Sequence, residues 1–186
     1  MMKKRRSEEP KKTHLKLKDV VERGKLHATT ASYILSRPEL FPGMPPAGSR
    51  GMQREFSLRQ ATRLTIGTHL VRAGFSIEDS YLIVHYAEET VQRNQRRLQD
   101  PDGNDVLFSK EKGAFPEPWK LTVADEDHVS VYRQGANPDI LLPDEYFNFR
   151  TQTDDDEYRS DDAIRLLLLN LSQIEIALKK NLQIST

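Results

Sequence analysis

The sequence predicts a mainly α chain of the α+β class: an N-terminal half organised around a helix-turn-helix, then a small mixed α/β region ending in an amphipathic helix. Three observations carry this expectation. Residues 14–99 hold successive stretches of helical periodicity separated by Gly- and Pro-containing breaks. The cluster Asp100-Pro101-Asp102-Gly103-Asn104 is dense in turn formers and marks the strongest boundary in the chain. Charge also divides there. The net charge of zero conceals 19 Lys and Arg against 10 Asp and Glu in residues 1–98, and 9 against 18 in residues 99–186.

A basic half can neutralise phosphates and release counterions, whereas an acidic half is repelled by the same polyanion and must face elsewhere. With 37% hydrophobic and 30% charged residues, no apolar run approaches the roughly 20 residues that cross a bilayer, so no membrane partner is expected. The basic start Met1 to Arg6 is followed by Glu8-Glu9-Pro10-Lys11-Lys12, where a signal peptide needs an apolar core. A cytoplasmic location is therefore expected. The lack of cysteine removes disulfides, thiol nucleophiles and thiolate metal sites.

Taken in order, residues 1–13 are basic and aperiodic and read as a disordered arm. A first helix is expected over about 16–23, carried by Leu17, Val20 and Val21 and stopped at Gly24. Thr29-Thr30 are expected to cap a second helix through Ala31, Tyr33, Ile34 and Leu35, which Pro38 ends. Two short helices joined by a glycine-containing turn form the helix-turn-helix. Residues 42–51 are too rich in Pro and Gly for regular structure. Ser57-Leu58-Arg59-Gln60 has the capping-box form and starts a third helix, which Gly74 closes in a left-handed conformation. Ser76-Ile77-Glu78-Asp79 repeats the start signal for a long fourth helix reaching toward Gln99. Its apolar positions Ile77, Val84, Val91 and Leu98 recur every seven residues, while Tyr81, Glu88 and Gln95 leave the alternate seam mixed.

Beyond the boundary, Val106–Phe108, Lys120–Val123, Val129–Arg133 and Ile140–Leu142 read as short strands of a small irregular sheet. The acidic run Asp154 to Glu157 leads to Ser160-Asp161-Asp162, a cap for a last helix. Ile164, Leu167, Leu171, Ile174 and Leu178 recur at spacings of three and four along it and form the candidate dimerisation stripe. Further leucines on other faces let that helix dock on the core, pair with a second copy, or do both.

The order helix, turn, helix, loop, Arg54-Glu55-Phe56, a Ser-x-x-Gln helix and then Ala73-Gly74-Phe75-Ser76-Ile77-Glu78-Asp79 resembles the MerR family of bacterial transcriptional regulators, with Leu17 to Gly24 as the counterpart of that family's first helix. The likeness covers roughly residues 15–85. It implies a winged helix-turn-helix over 14–99 that binds double-stranded DNA as a homodimer, with residues 100–186 as an acidic regulatory or dimerisation region. It also implies that Thr29, Thr30, Ser32 and Tyr33 lie on the recognition helix, and that Arg50 and Arg54 belong to the wing. Lys25 and His27 occupy the turn. The 42–51 loop is longer and more proline-rich than the usual wing, and metal-thiolate sensing is excluded without cysteine. Trp119, Tyr132, Tyr146, Phe147 and Phe149 supply aromatic material for a small-molecule or protein effector in the C-terminal region.

Enzymatic chemistry finds little footing. The five histidines show no paired ligand spacing, and the chain has no phosphate-cradling GxxxxGK[ST] loop, dinucleotide fingerprint or nucleophile elbow. Asp125-Glu126-Asp127-His128 reads as a solvated turn between strands. Neither a cofactor nor catalysis is expected. Two alternatives share these residues with the regulator reading: a phage or mobile-element DNA-binding factor (a recombination-directionality or packaging subunit), and a protein-interaction adaptor whose helix-turn-helix does not touch DNA.

Overall fold

A computed structural model describes residues 14–47, 53–97, 107–108, 118–125, 127–133, 146–148, 151, 153–155 and 166–179. Among these, five helices and two small antiparallel sheets form a mixed α/β architecture. The first sheet joins β1 (Leu15–Lys16) to β2 (Glu55–Phe56), pairing Leu15 with Phe56 and Lys16 with Glu55. The side chains of Leu15 and Phe56 are buried. The pairing ties the chain just before α1 (Leu17–Arg23) to the chain just before α3 (Leu58–Arg72).

Gly24 ends α1, but not through a left-handed turn. Its φ is −76°, and a Cβ there would lie 2.8 Å from the Val20 carbonyl oxygen and 2.9 Å from Thr65 Oγ1. The glycine is thus needed for the close approach of α1 to α3. The left-handed residue is Lys25, at φ 51°. It takes the chain reversal in one step, so helical geometry resumes earlier than expected: α2 spans Ala28–Leu35 and its N-cap is His27. Thr29 and Thr30 are therefore helical residues and not caps. Ser36 closes α2 ahead of Pro38.

Phe41, fully buried, anchors the following loop against α3. A Cβ on Gly67 would sit 2.7 Å from two of the Phe41 ring carbons, so that glycine gives up helix propensity to admit the ring. No strand within the described part of 36–54 pairs with β2; its partner is β1. The expected wing is accordingly not seen as a hairpin among the described residues, where Glu55-Phe56 pairs with the chain entering α1.

The expected Ser57/Gln60 box starts α3, with Gln60 N–H donating to Ser57 Oγ (3.2 Å) and Ser57 N–H to Gln60 Oε1 (3.0 Å). Helix α3 is buried nearly all round. Thr62, Thr65 and Thr68 satisfy their hydroxyls by donating to the carbonyls of Leu58, Ala61 and Leu64 at 2.7–2.9 Å. Gly74, at φ 109°, then turns the chain. Ser76 Oγ accepts from Asp79 N–H (3.0 Å) at the start of α4 (Ile77–Arg97).

The second sheet has the order β6-β5-β4-β3-β7, all antiparallel: β3 (Trp119–Ala124), β4 (His128–Arg133), β5 (Tyr146–Asn148), β6 (Thr153–Asp155) and β7 (Leu166–Asn170). The strands expected over 120–123 and 129–133 lie inside β3 and β4, joined by a turn in which Asp125 has φ 53°. Leu107 and Phe108 are described but not as a strand, and 140–142 falls outside the described residues. Asp154 and Asp155 belong to β6, and the expected cap Ser160-Asp161-Asp162 lies outside the described residues.

The last helix is corrected too. Leu166–Asn170 is a strand, and α5 spans only Leu171–Lys179. Leu166 and Leu168 are exposed while Leu167 and Leu169 are half-buried, the alternation of a strand lying on a core. Asn170 Oδ1 accepts from Gln173 N–H (3.0 Å), an N-cap set in the middle of the apolar run. Of the proposed stripe, Ile164 lies outside the described residues and Leu167 is on β7. Leu171 and Leu178 are fully buried within this chain, and Ile174 packs against the same core. Helix α5 touches α1, α3 and β3, and α4 touches β4, so one buried cluster runs from Leu15 to Leu178 across both charge halves.

Candidate nucleic-acid interface

Helix α2 is two-sided. Ala31, Ile34 and Leu35 are buried against the core, while Thr29, Ser32 and Tyr33 are exposed and Thr30 is half-buried. Tyr33 is 50% exposed, unusual for so large a ring. The helix bears no charged residue, so its outward face offers hydroxyls that can donate or accept and nothing that repels a phosphate. At its N-terminus His27 makes no side-chain cap bond, leaving the first backbone N–H groups without a side-chain acceptor.

Cations stand at both ends of that face. Lys25 is exposed in the turn before α2. After the helix, the Arg37 guanidinium carbon lies 5.8 Å from the Tyr33 ring centroid, above the ring. Arg37 was not among the residues singled out by sequence. Its signal, a cation four positions after an aromatic, is visible only once the helix is known to continue in a final turn, where Arg37 N–H donates to Ile34 O (3.0 Å).

Arg54 has a different place from the one expected of a wing residue. It is half-buried, and Nη1 donates to Leu35 O (3.1 Å), a carbonyl at the C-terminus of α2. It therefore holds the end of α2 in position and favours the negative end of that helix dipole. Arg50 lies outside the described residues. The structure thus gathers Thr29, Ser32 and Tyr33 on one face with Lys25 and Arg37 at its ends, and sets Arg54 behind it.

The support beneath this face is polar as well as apolar. Glu88 of α4, almost fully buried, receives Arg59 at 3.0 Å and 3.4 Å and Arg63 at 3.5 Å. Arg63 also lies 5.5 Å from the Tyr81 ring centroid. Glu88, a polar break in a heptad when read from sequence, is the acceptor that locks α3 to α4. At the far end of α3, His69 has its pKa lowered by burial, with the Arg72 charge acting in the same direction and a hydrogen bond with the Gly24 backbone opposing. Arg23 of α1 donates to Leu178 O (3.0 Å), tying the helix before the turn to α5.

The aromatic material of the C-terminal region is dispersed. Trp119 is buried beneath Arg133, whose guanidinium carbon lies 4.9 Å from the ring centroid, and Phe147 stacks on Tyr86 at 4.5 Å. Tyr132 hydroxyl lies 3.4 Å from Thr122 Oγ1; Phe149 is outside the described residues. No group of three or more His, Asp or Glu among the described residues is arranged to hold a metal ion, and no helix among them is long and apolar enough to cross a membrane. No family model matches the chain, and no curated protein is significantly similar to it.

Proposed function

We propose that this protein is a duplex-DNA-binding transcriptional regulator of the MerR-like winged helix-turn-helix type, acting as a homodimer, with the outward face of α2 entering the major groove. The observation that carries the reading is that face itself: Thr29, Ser32 and Tyr33 are exposed, uncharged and unneeded by the core, with Lys25 and Arg37 beside them. Hydroxyls can bond phosphates or base edges, and flanking cations neutralise the backbone. The excess of Lys and Arg in residues 1–98 favours a polyanionic partner for this half of the chain.

Dimerisation would match two half-sites to a two-fold protein. Three of the large apolar side chains that remain exposed, Leu166, Leu168 and Ile176, lie together in sequence on β7 and α5. That surface is our choice for the contact with a second copy. The stripe itself does not serve, because Leu171 and Leu178 are used inside the chain.

Fluorescence anisotropy of labelled duplex across a salt series, with upstream and scrambled sequences, tests the reading. Sequence-preferring binding with a steep salt dependence is expected. Salt-sensitive binding without preference would favour an architectural or mobile-element factor, and absence of binding at low salt would favour the interaction adaptor.

A further inference from the structure

We propose that Arg37 is the base-reading side chain of this surface and that its target is the major-groove edge of a guanine. The inference rests on the DNA-binding reading above and deepens it. The exposed polar residues of α2 are Thr29, Ser32 and Tyr33, and a hydroxyl accepts or donates as the base requires, so it discriminates weakly between base pairs. Arg37 differs from them. Its planar fork presents five donors and no acceptor, which matches the two acceptors O6 and N7 that only guanine offers side by side.

The guanidinium is also placed for that task. It is exposed, makes no side-chain hydrogen bond or ion pair among the described residues, and rests 5.8 Å over Tyr33. Attraction of the cation to the face of the ring restrains the side chain and reduces the rotamer freedom lost on binding. A phosphate contact would need only a nearby positive charge, as Lys25 supplies at the other end. The Tyr33 ring also holds Arg37 over the face that α2 turns outward. In contrast, Arg54 spends Nη1 on Leu35 O.

The test begins with a selection by wild-type protein from a randomised duplex pool. Each guanine of the recovered site is then replaced singly by 7-deazaguanine, which removes N7. Affinities of wild type, Arg37→Ala, Arg37→Lys and Tyr33→Phe for selected and scrambled duplex are read by anisotropy across a salt series, with melting curves for each protein. At one guanine the replacement should weaken wild type and Tyr33→Phe about tenfold to a hundredfold and leave Arg37→Ala unchanged. Arg37→Lys should lose most of the preference, because an ammonium cannot reproduce the fork. The proposal is overturned if Arg37→Ala weakens selected and scrambled duplex equally with a smaller salt slope, the behaviour of a phosphate contact. It is overturned equally if every replacement acts alike on wild type and Arg37→Ala, or if wild type binds duplex but recovers no preferred sequence. A wild type that binds no duplex removes the DNA-binding reading and this proposal together, a result distinct from the others.

Discussion

Residues 77–97 and 164–179 carry the same kind of apolar recurrence and adopt different structures. The first is one helix of 21 residues; the described part of the second, residues 166–179, divides into β7 and α5. Capping accounts for part of the difference. Ser76 stands before α4, whereas Asn170 stands inside the second run and starts a new helix there. Neighbours account for the rest, since β3 offers an edge on which Leu166 to Asn170 complete a ladder. Both segments then hide a carboxylate in an apolar face and satisfy it differently. Glu88 of α4 takes two guanidinium groups, while Glu175 of α5, fully buried, accepts the backbone N–H groups of Leu107 and Phe108 at 2.8 Å each. Ser172 reinforces the second arrangement by accepting from Trp119 N–H (2.8 Å) and donating to Phe108 O. Apolar spacing thus selects a buried face, while caps and buried acceptors select what that face meets.

The largest effect is expected at the backbone-satisfied carboxylate. Glu175→Ala strips two buried amides of their acceptor, and at about 1–3 kcal/mol for each orphaned group the loss should approach about 4 kcal/mol by urea denaturation. A loss under about 1 kcal/mol would mean that 107–108 is not held as described. Glu88→Ala should cost less, about 3 kcal/mol, because removing one partner of a buried pair is costly but the Arg59 side chain, 44% exposed, can turn to solvent. Asn170→Ala removes the internal cap and should cost about 1 kcal/mol, with Asp restoring most of it. If the run were one continuous helix, Asn170→Ala would be neutral or stabilising, so this variant separates the two structures of 164–179.

The smallest effect is a pH dependence confined to the helical half. Burial holds the folded-state pKa of His69 below its ordinary value, which is about 6.5, so folding favours neutral imidazole. Its contribution is fully present above the unfolded pKa and is lost as pH falls from there through the lowered folded value. The thermal midpoint of wild type should therefore drop over that interval by more than that of His69→Gln. Equal slopes in the two proteins would remove His69 from the account.

Local signals explain why so much of the helical half was readable before the structure. The Ser57/Gln60 box, Gly74 and Ser76 act within a few residues of themselves, and each appears where the sequence put it. Gly24 stopped its helix as expected, while the crowding that leaves no room for a side chain there comes partly from Thr65, 41 positions away. Long-range causes were not readable. The β1–β2 pairing, the seat of Phe41 on Gly67 and the conversion of Leu166–Leu169 to a strand all depend on partners distant in sequence. At the candidate site, Thr29, Thr30, Ser32 and Tyr33 were reached through the resemblance to a known family, which sets them on a recognition helix. Arg37 had no such signal, since its relation to Tyr33 needed the final turn of α2, and the bond from Arg54 to Leu35 O was not readable because that carbonyl belongs to another element.

Backbone amide shifts of labelled protein, followed as duplex from the selected site is added, show whether the outward face of α2 meets DNA. Perturbations are expected to concentrate at Lys25, Thr29, Ser32, Tyr33 and Arg37, with Leu121, Val129 and Leu171 nearly unmoved. Perturbations centred on the β3–β7 sheet, or none on α2 at saturating duplex, would contradict that contact.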